Sequence, residues 1–387
     1  MRPTSFRLKA AGALAALAVS TLSIAGCNGS GSASSTHTAL ISRMTQTNLV
    51  SDIPGLATVT DPDLVNPWGV ALGPTSPIWI ADNGSGKATL YNGAGTKQGL
   101  IVTLPTPTAS SGAAPTGQVF NSTTDFVLPN GSPALFIFST EDGTILAWNG
   151  KSGTQAVLVA DRSGIPVTGG AVYKGLALGA NSTGNFLYAT NFRTGQIDVF
   201  DKNFNIVLLT GNFTDPNLPS GFAPFGIQNI NGDLFVTFAK QDAAMHDDVS
   251  GTGRGIIDQF DTNGNFKRRF ATGSASGGGI SALNSPWGMV VAPAGFGSIG
   301  GSLLVGNFGD GHINVFNPTT GALMGQLSNS TGTAAITIPG IWSLFVGNGG
   351  TGGSATTIYF TAGIGSGPTN TVNVESHGLF GSLVPAP

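Results

Sequence analysis

The sequence predicts an all-β protein, a six-bladed β-propeller whose N-terminal strand closes the last blade, and three observations carry that expectation. A strand-like unit ending in an aromatic residue recurs six times, and a second unit opened by Pro or Gly recurs upstream of each. The composition, with 59 Gly and 22 Pro among 387 residues but also 23 Phe, combines many turns with more aromatic side chains than a disordered chain carries.

The first unit has the form Ile-x-Val-aromatic-Asp/Asn and reads KATLYN, TILAWN, QIDVFD, IIDQFD, HINVFN and a weaker HGLFG. Its aromatic positions, Tyr91, Trp148, Phe200, Phe260, Phe316 and Phe380, lie 57, 52, 60, 56 and 64 residues apart. Each interval holds four short strands and their turns, and a repeat of this length signals stacked supersecondary units. Before each aromatic runs an apolar strand: IWIADN, LFIFST, FLYATN, LFVTFAK, LLVGNF and IYFTAG. Before that comes the opening unit: NPWGVAL, PTGQVF, YKGLAL, APFGIQ, SPWGMVV and PGIWSLFV. Outer strands follow the first five aromatics as GLIVTL, AVLVAD, IVLLTG, KRRFAT and MGQLSN. The sixth has none, while a matching segment, NLVSD at 48–52, precedes the first unit. Closing the ring with that strand removes the open edge a sheet must otherwise guard. A β-sandwich with Gly-rich turns shares this composition but does not regenerate three strand types in one order. Blades cannot bury their faces alone, so 47–387 is expected to be one domain.

These units resemble NHL repeats, whose blades open with Pro-x-Gly, reach an Ala-Asp strand end and close on Val-Phe-Asp; NPWGVALGPTSPIWIADNGSGKATLYNG is the clearest match. Across 47–385 the pattern is also similar to an uncharacterised family of exported bacterial propellers that share TNLVSDIPG and NPWG and sometimes end in a PEP-CTERM sorting tail. The resemblance implies a fold and an exported location.

The N-terminus points the same way. Arg2, Arg7 and Lys9 precede an apolar run from Ala10 to Val19, shorter than the roughly 20 residues a spanning helix needs, as in a secretory signal. The run leads to Ile24-Ala25-Gly26-Cys27, which resembles a bacterial lipobox. That resemblance implies lipidation of Cys27 and cleavage before it, with two or more acyl chains giving stable anchorage; the alternative is an ordinary signal peptide with a chance cysteine. Cys27 is the only cysteine, so no intrachain disulfide can form. The expected organisation is a signal peptide at 1–26, lipidated Cys27 and a flexible tether at 27–46, and the propeller at 47–387, lipid-anchored to a cell-envelope membrane. After cleavage, 13 Lys and Arg stand against 19 Asp and Glu, an acidic balance that argues against a nucleic-acid partner.

If strands run A to D outward in each blade, the A–B and C–D turns share one face and are short and rich in Gly and Asn, as hairpin closures are. The B–C turns and D–A connections share the other face, and loops on a rigid scaffold are where binding residues concentrate. Candidates there are Asn83 beside Asp82, Glu141 and Asp142, Asn191 and Arg193, Asn307 and Asp310, and Glu375 with His377 as an acid–base pair. The fourth B–C connection, KQDAAMHDDVSGTGRG, adds Lys240, Asp242 and His246, and its Asp242, Asp247 and Asp248 form a candidate metal set. Carboxylates and backbone carbonyls are the oxygen ligands Ca²⁺ takes, but the spacing is not that of an EF-hand, and the loop is read as a solvated acidic segment ahead of a metal site. Asx turns explain many of the Asn and Asp residues. Trp68, Trp287, Trp342 and Phe225 hold equivalent blade-opening positions, read as interblade packing ahead of ligand stacking. His37 lies in the tether, and His312 beside a B–C turn. Neither a nucleophile elbow, a zinc-protease helix nor a phosphate loop is present.

The expected function is a surface-tethered binding module for an envelope protein, glycan or small molecule. The alternatives on this face are a Ca²⁺-dependent lactonase-type hydrolase and a quinone-cofactor sugar oxidoreductase, both resting on fold analogy.

Overall fold

The computed structural model describes residues 38–164, 169–273 and 282–387. Cys27, the expected signal peptide and His37 lie outside the described residues.

The chain opens with β1 (Leu40–Ser51) and the short β2 (Val59–Thr60). Four antiparallel four-stranded sheets follow in sequence. The first comprises β3 (Pro67–Ala71), β4 (Ile78–Asp82), β5 (Lys87–Tyr91) and β6 (Lys97–Thr103). The second comprises β7 (Pro115–Phe120), β8 (Phe136–Thr140), β9 (Thr144–Trp148) and β10 (Val157–Asp161). The third holds β11 (Tyr173–Asn181), β12 (Gly184–Asn191), β13 (Gln196–Phe200) and β14 (Ile206–Val207), and the fourth β15 (Phe222–Ile230), β16 (Asp233–Lys240), β17 (Gly255–Asp261) and β18 (Phe266–Thr272). The remaining strands are β19 (Pro286–Val291), β20 (Leu303–Asn307), β21 (Ile313–Phe316), β22 (Leu323–Ser328), β23 (Ile341–Val346), β24 (Ile358–Ala362) and β25 (Leu379–Pro385). They form a fifth sheet in the order β19-β20-β21-β22-β1-β25-β24-β23, with β2 paired to β1. The fold is all-β and of propeller type.

Strands β4, β8, β20 and β24 are buried along their whole length. Both of their faces pack on neighbouring sheets, which is why they read as continuous apolar runs rather than alternating ones. The outer β6 and β10 are half-exposed.

The opening units form the inner wall. Each carries a register shift against its neighbour, between Pro67 and Val70, Pro115 and Gln118, Tyr173 and Gly175, Pro224 and Ile227, Pro286 and Met289, and Ile341 and Leu344. Such bulges bend a strand and re-aim its side chains. The glycine at five of the six bulges lets the next inner strand come close. A Cβ on Gly226 would lie 2.3 Å from the Trp287 carbonyl oxygen, and one on Gly288 would lie 2.2 Å from that of Trp342. Where the series reaches Ser343, its Oγ instead donates to the Trp68 carbonyl at 2.8 Å. The inner strands enclose a cavity of about 80 Å³ lined by Gly69, Gly117, Leu176, Ile227, Gly288 and Ser343, among others.

Strand β1 begins at Leu40, which moves the expected tether boundary at residue 46 back by several residues. Leu40–Arg43 pairs in parallel with β22, and Met44–Ser51 pairs antiparallel with β25. The segment SRMTQT is polar enough to read as tether, but the open edges of β22 and β25 supply the backbone partners that make it a strand.

Candidate functional site

At one end of the inner wall, the residues just before the bulge glycines converge. Trp68 stacks on Trp342 with ring centroids 3.4 Å apart, Phe308 stacks on the same ring at 4.1 Å, and Trp287 meets both tryptophans edge-on. Phe192 and Phe225 complete the cluster. Trp68, Trp342 and Phe225 are 1% exposed, so these rings pack on one another, as expected for a core role, and close that end of the wall.

Lys174 occupies the equivalent position on β11. Its side chain is 2% exposed, and its Nζ lies 5.2 Å from the Trp68 ring centre and 5.9 Å from that of Phe192, within reach of the negative faces of both rings. The ammonium pairs with Glu141, at the end of β8, and with Asp247 at 3.2 Å. Burial alone would lower the lysine pKa, but the charges of Glu141 and Asp247 more than reverse this, so Lys174 is held charged.

Around it the B–C loops supply partners from distant parts of the chain. Asn83 Nδ2 donates to Glu141 Oε2 at 2.9 Å, and Asn66 Nδ2 donates to Asn83 Oδ1 at 3.2 Å and to Glu375 Oε1 at 3.3 Å. Asn66 is fixed in turn by the Trp342 indole, which donates to its Oδ1 at 3.1 Å. His246 Nδ1 lies 2.9 Å from Asp247 Oδ1; that contact raises the imidazole pKa and, with Lys174, depresses the Asp247 carboxyl. Burial, followed by the charge of Glu141, pushes Glu375 up to about 7. Its backbone is held at φ 78°, a region that costs a non-glycine residue energy and that clusters at functional sites. Glu375, pushed up to about 7, and His246, raised by its contact with Asp247, thus lie near one buried ammonium, an arrangement that recurs at acid–base centres.

No protein-family model matches the chain. Uncharacterized protein R648 of Acanthamoeba polyphaga mimivirus is 34% identical over 298 residues, covering 74% of this chain and 70% of that protein. The chain belongs to the R648 family. Uncharacterized protein L690 of the same virus, 34% identical over 307 residues with 76% and 77% coverage, is a second relative. Two solved structures share the R648-family fold. The soluble aldose sugar dehydrogenase of Escherichia coli in its apo-form aligns over 88% of this chain and 99% of its own, with a TM-score of 0.53 at 11% identity. A putative gluconolactonase aligns over 90% and 94%, with a TM-score of 0.52 at 12% identity. At these identities the likeness is one of fold, the β-propeller.

The R648-family fold brings together only part of the candidate set. Asn83, Glu141, His246, Asp247 and Glu375 converge on Lys174. Asp142 instead accepts from the Ala114 amide at 2.8 Å. Asn191 is buried and bonds Asp198 and the Val172 amide. Arg193 donates to the Gly169 and Gly170 carbonyls, and Lys240 to that of Ser220. Asn307 and Asp310 bond each other and the loop at Ala282 and Asn284. All of these serve local turns. His377 does not pair with Glu375: its Nδ1 lies 2.7 Å from Asp52 Oδ2. Nor do Asp242, Asp247 and Asp248 form one ligand set. Asp242 caps the His246 amide at 2.8 Å, Asp248 accepts from Ser250 Oγ at 3.0 Å, and the donors that do gather are Glu141, His246 and Asp247, all within 4.8 Å of one another. The Lys174 ammonium already touches both carboxylates of that group.

The residues missed from sequence are Lys174 and Asn66. A signal for Lys174 was present: aligned on the bulge, the opening units carry Trp68, Thr116, Lys174, Phe225, Trp287 and Trp342, and one charge stands in that series.

Proposed function

We propose that this chain is an enzyme whose acid–base centre is the Lys174 cluster, and that it opens the ester bond of a small lactone with water. The carrying observation is the network in which half-buried Glu375 accepts from Asn66, which bonds Asn83, which bonds Glu141, which pairs with the charged Lys174; burial and the charge of Glu141 push the Glu375 carboxyl up to about 7. As the base, Glu375 accepts a proton from water while the water oxygen bonds to the lactone carbonyl carbon. His246, whose imidazole pKa the contact with Asp247 raises, donates a proton to the ring oxygen as the C–O bond breaks. Lys174 stays charged and helps hold the Asp247 carboxyl low. The substrate class is suggested by the putative gluconolactonase of similar fold. The test is a panel of small lactones followed by released acid. Glu375→Gln is expected to lower kcat by roughly 10²–10⁴-fold, the usual share of general acid–base catalysis, and to remove the inflection near pH 7. Turnover unchanged in Glu375→Gln overturns the assignment; ligand binding without turnover in the parent favours the binding-module alternative.

Two further expectations stand as part of this proposal. The five sheets are read as six blades, with β23-β24-β25-β1 as the last and β1 reaching over to β22. The chain is read as an exported lipoprotein of the cell envelope, anchored at Cys27. Cys27→Ser should then leave the detergent phase in a partitioning assay; identical partitioning and processing of mutant and parent would count against the anchor.

A further inference from the structure

We propose that Lys174 is the resident cation of this site: its ammonium takes the place between Glu141 and Asp247 that a divalent metal ion would hold, and it keeps the site free of metal. This rests on geometry and not on the catalytic assignment. Ligand atoms of Glu141, His246 and Asp247 lie within 4.8 Å of one another, the separation expected of groups sharing one ion. Two carboxylates and an imidazole form a mixed oxygen and nitrogen set suited to Zn²⁺ or Mn²⁺. The Lys174 Nζ contacts Glu141 and lies 3.2 Å from Asp247, and its side chain is almost wholly buried with aromatic rings behind it. A divalent ion entering among these ligands would meet a like charge at contact distance, on the buried Lys174 and Glu141 side of the group, where such repulsion is strong. The side chain cannot easily swing aside, because Trp68 and Phe192 lie close to its head and its backbone carbonyl accepts from the Trp287 indole at 3.0 Å. Removing the ammonium while keeping the length of the chain should therefore convert the cluster into a metal site.

The experiment uses the full chain, Lys174→Met and Lys174→Met with His246→Ala, each titrated with ZnCl₂ and MnCl₂ by calorimetry and melted with and without EDTA. The parent is expected to bind neither ion stoichiometrically and to melt identically with and without EDTA. Lys174→Met is expected to bind one ion with a Kd at least tenfold below any parent value and to melt higher in its presence, since a ligand that binds only the native state stabilises it. The double variant should lose that gain. Should Lys174→Met fail to fold in metal-free buffer, recovery of a cooperative melt on adding Zn²⁺ supports the proposal, and failure to recover in either buffer overturns it. Stoichiometric metal in the parent, or a folded Lys174→Met that binds none, overturns it as well. Loss of lactone turnover leaves these readouts untouched, so the two assignments fail separately.

Discussion

Two of the charge clusters among the described residues differ in make-up. In the first sheet and the loop leading to it, Lys97 bonds Asp61 at 2.8 Å and Asp63 at 2.6 Å, Lys87 bonds Asp63 at 2.6 Å, and Tyr91 donates to Asp61 at 2.6 Å. Burial would raise the Asp63 pKa, but its hydrogen bonds from Lys87 and Lys97 more than offset that and leave it lowered. Two ammonium groups meet two carboxylates, and every member lies between residues 61 and 97. Around Lys174 one ammonium faces Glu141, Asp247 and Glu375, drawn from loops more than two hundred residues apart. Both clusters are hydrogen-bonded, and each has a raised carboxyl beside it: Asp82, pushed up by burial and by Asp61 and Asp63, near the first, and Glu375 in the second. The count of charges therefore marks neither as a site. What distinguishes the second is an imbalance of charge where loops from several sheets meet.

The largest expected difference is in stability. Lys174→Ala leaves Glu141 without its buried counter-ion, and breaking a buried pair costs about 3–5 kcal/mol. Lys97→Ala removes charge-assisted bonds at a more exposed position, with Lys87 still holding Asp63, and should cost about 2 kcal/mol. Urea denaturation of both variants measures this, and losses that are equal or reversed would break the comparison.

A smaller effect sharpens it through pH. The folded-state pKa of Glu375 is raised to about 7 from an ordinary value of 4.5, so the folded protein binds more protons than the unfolded chain between these values. This contribution to stability is fully present below about pH 4.5, falls as pH rises through the window, and is gone above the folded pKa. Glu375→Gln should flatten the loss by on the order of 2 kcal/mol between pH 5 and 8, once partial exposure is allowed for. Parallel stability curves for mutant and parent would show that Glu375 is not buried as a charge-sensitive group.

The smallest effect is expected at His246. Its pair with Asp247 is partly exposed, and such pairs contribute less than about 1 kcal/mol. His246→Ala should thus barely move the urea midpoint while lowering lactone turnover. A large stability loss with normal turnover would make His246 a structural residue.

Much of this was legible in the sequence because blade packing acts locally. The apolar runs IWIAD, FIFST and IYFTA had to be buried on both faces, and the Pro-x-Gly units had to bulge where inner strands crowd, so strand order followed from residue type. That Asn83, Glu141, His246 and Glu375 share one face followed as well, since all lie in B–C connections. The pairing of β1 with β25 was visible as a missing outer strand, whereas the start of β1 at Leu40 was not, because its polar residues take their structure from the edge of β22.

What only the tertiary structure decided is which polar residues meet. Glu375 and His377 are two positions apart, yet the backbone sends one toward Asn66 and the other toward Asp52. Asp242, Asp247 and Asp248 are neighbours in sequence, but only Asp247 reaches Lys174. Periodicity specifies what faces a neighbouring sheet, because burying apolar area is additive along a strand. Contacts among side chains from four separate loops depend on the closure of the whole ring, and no local pattern encodes them.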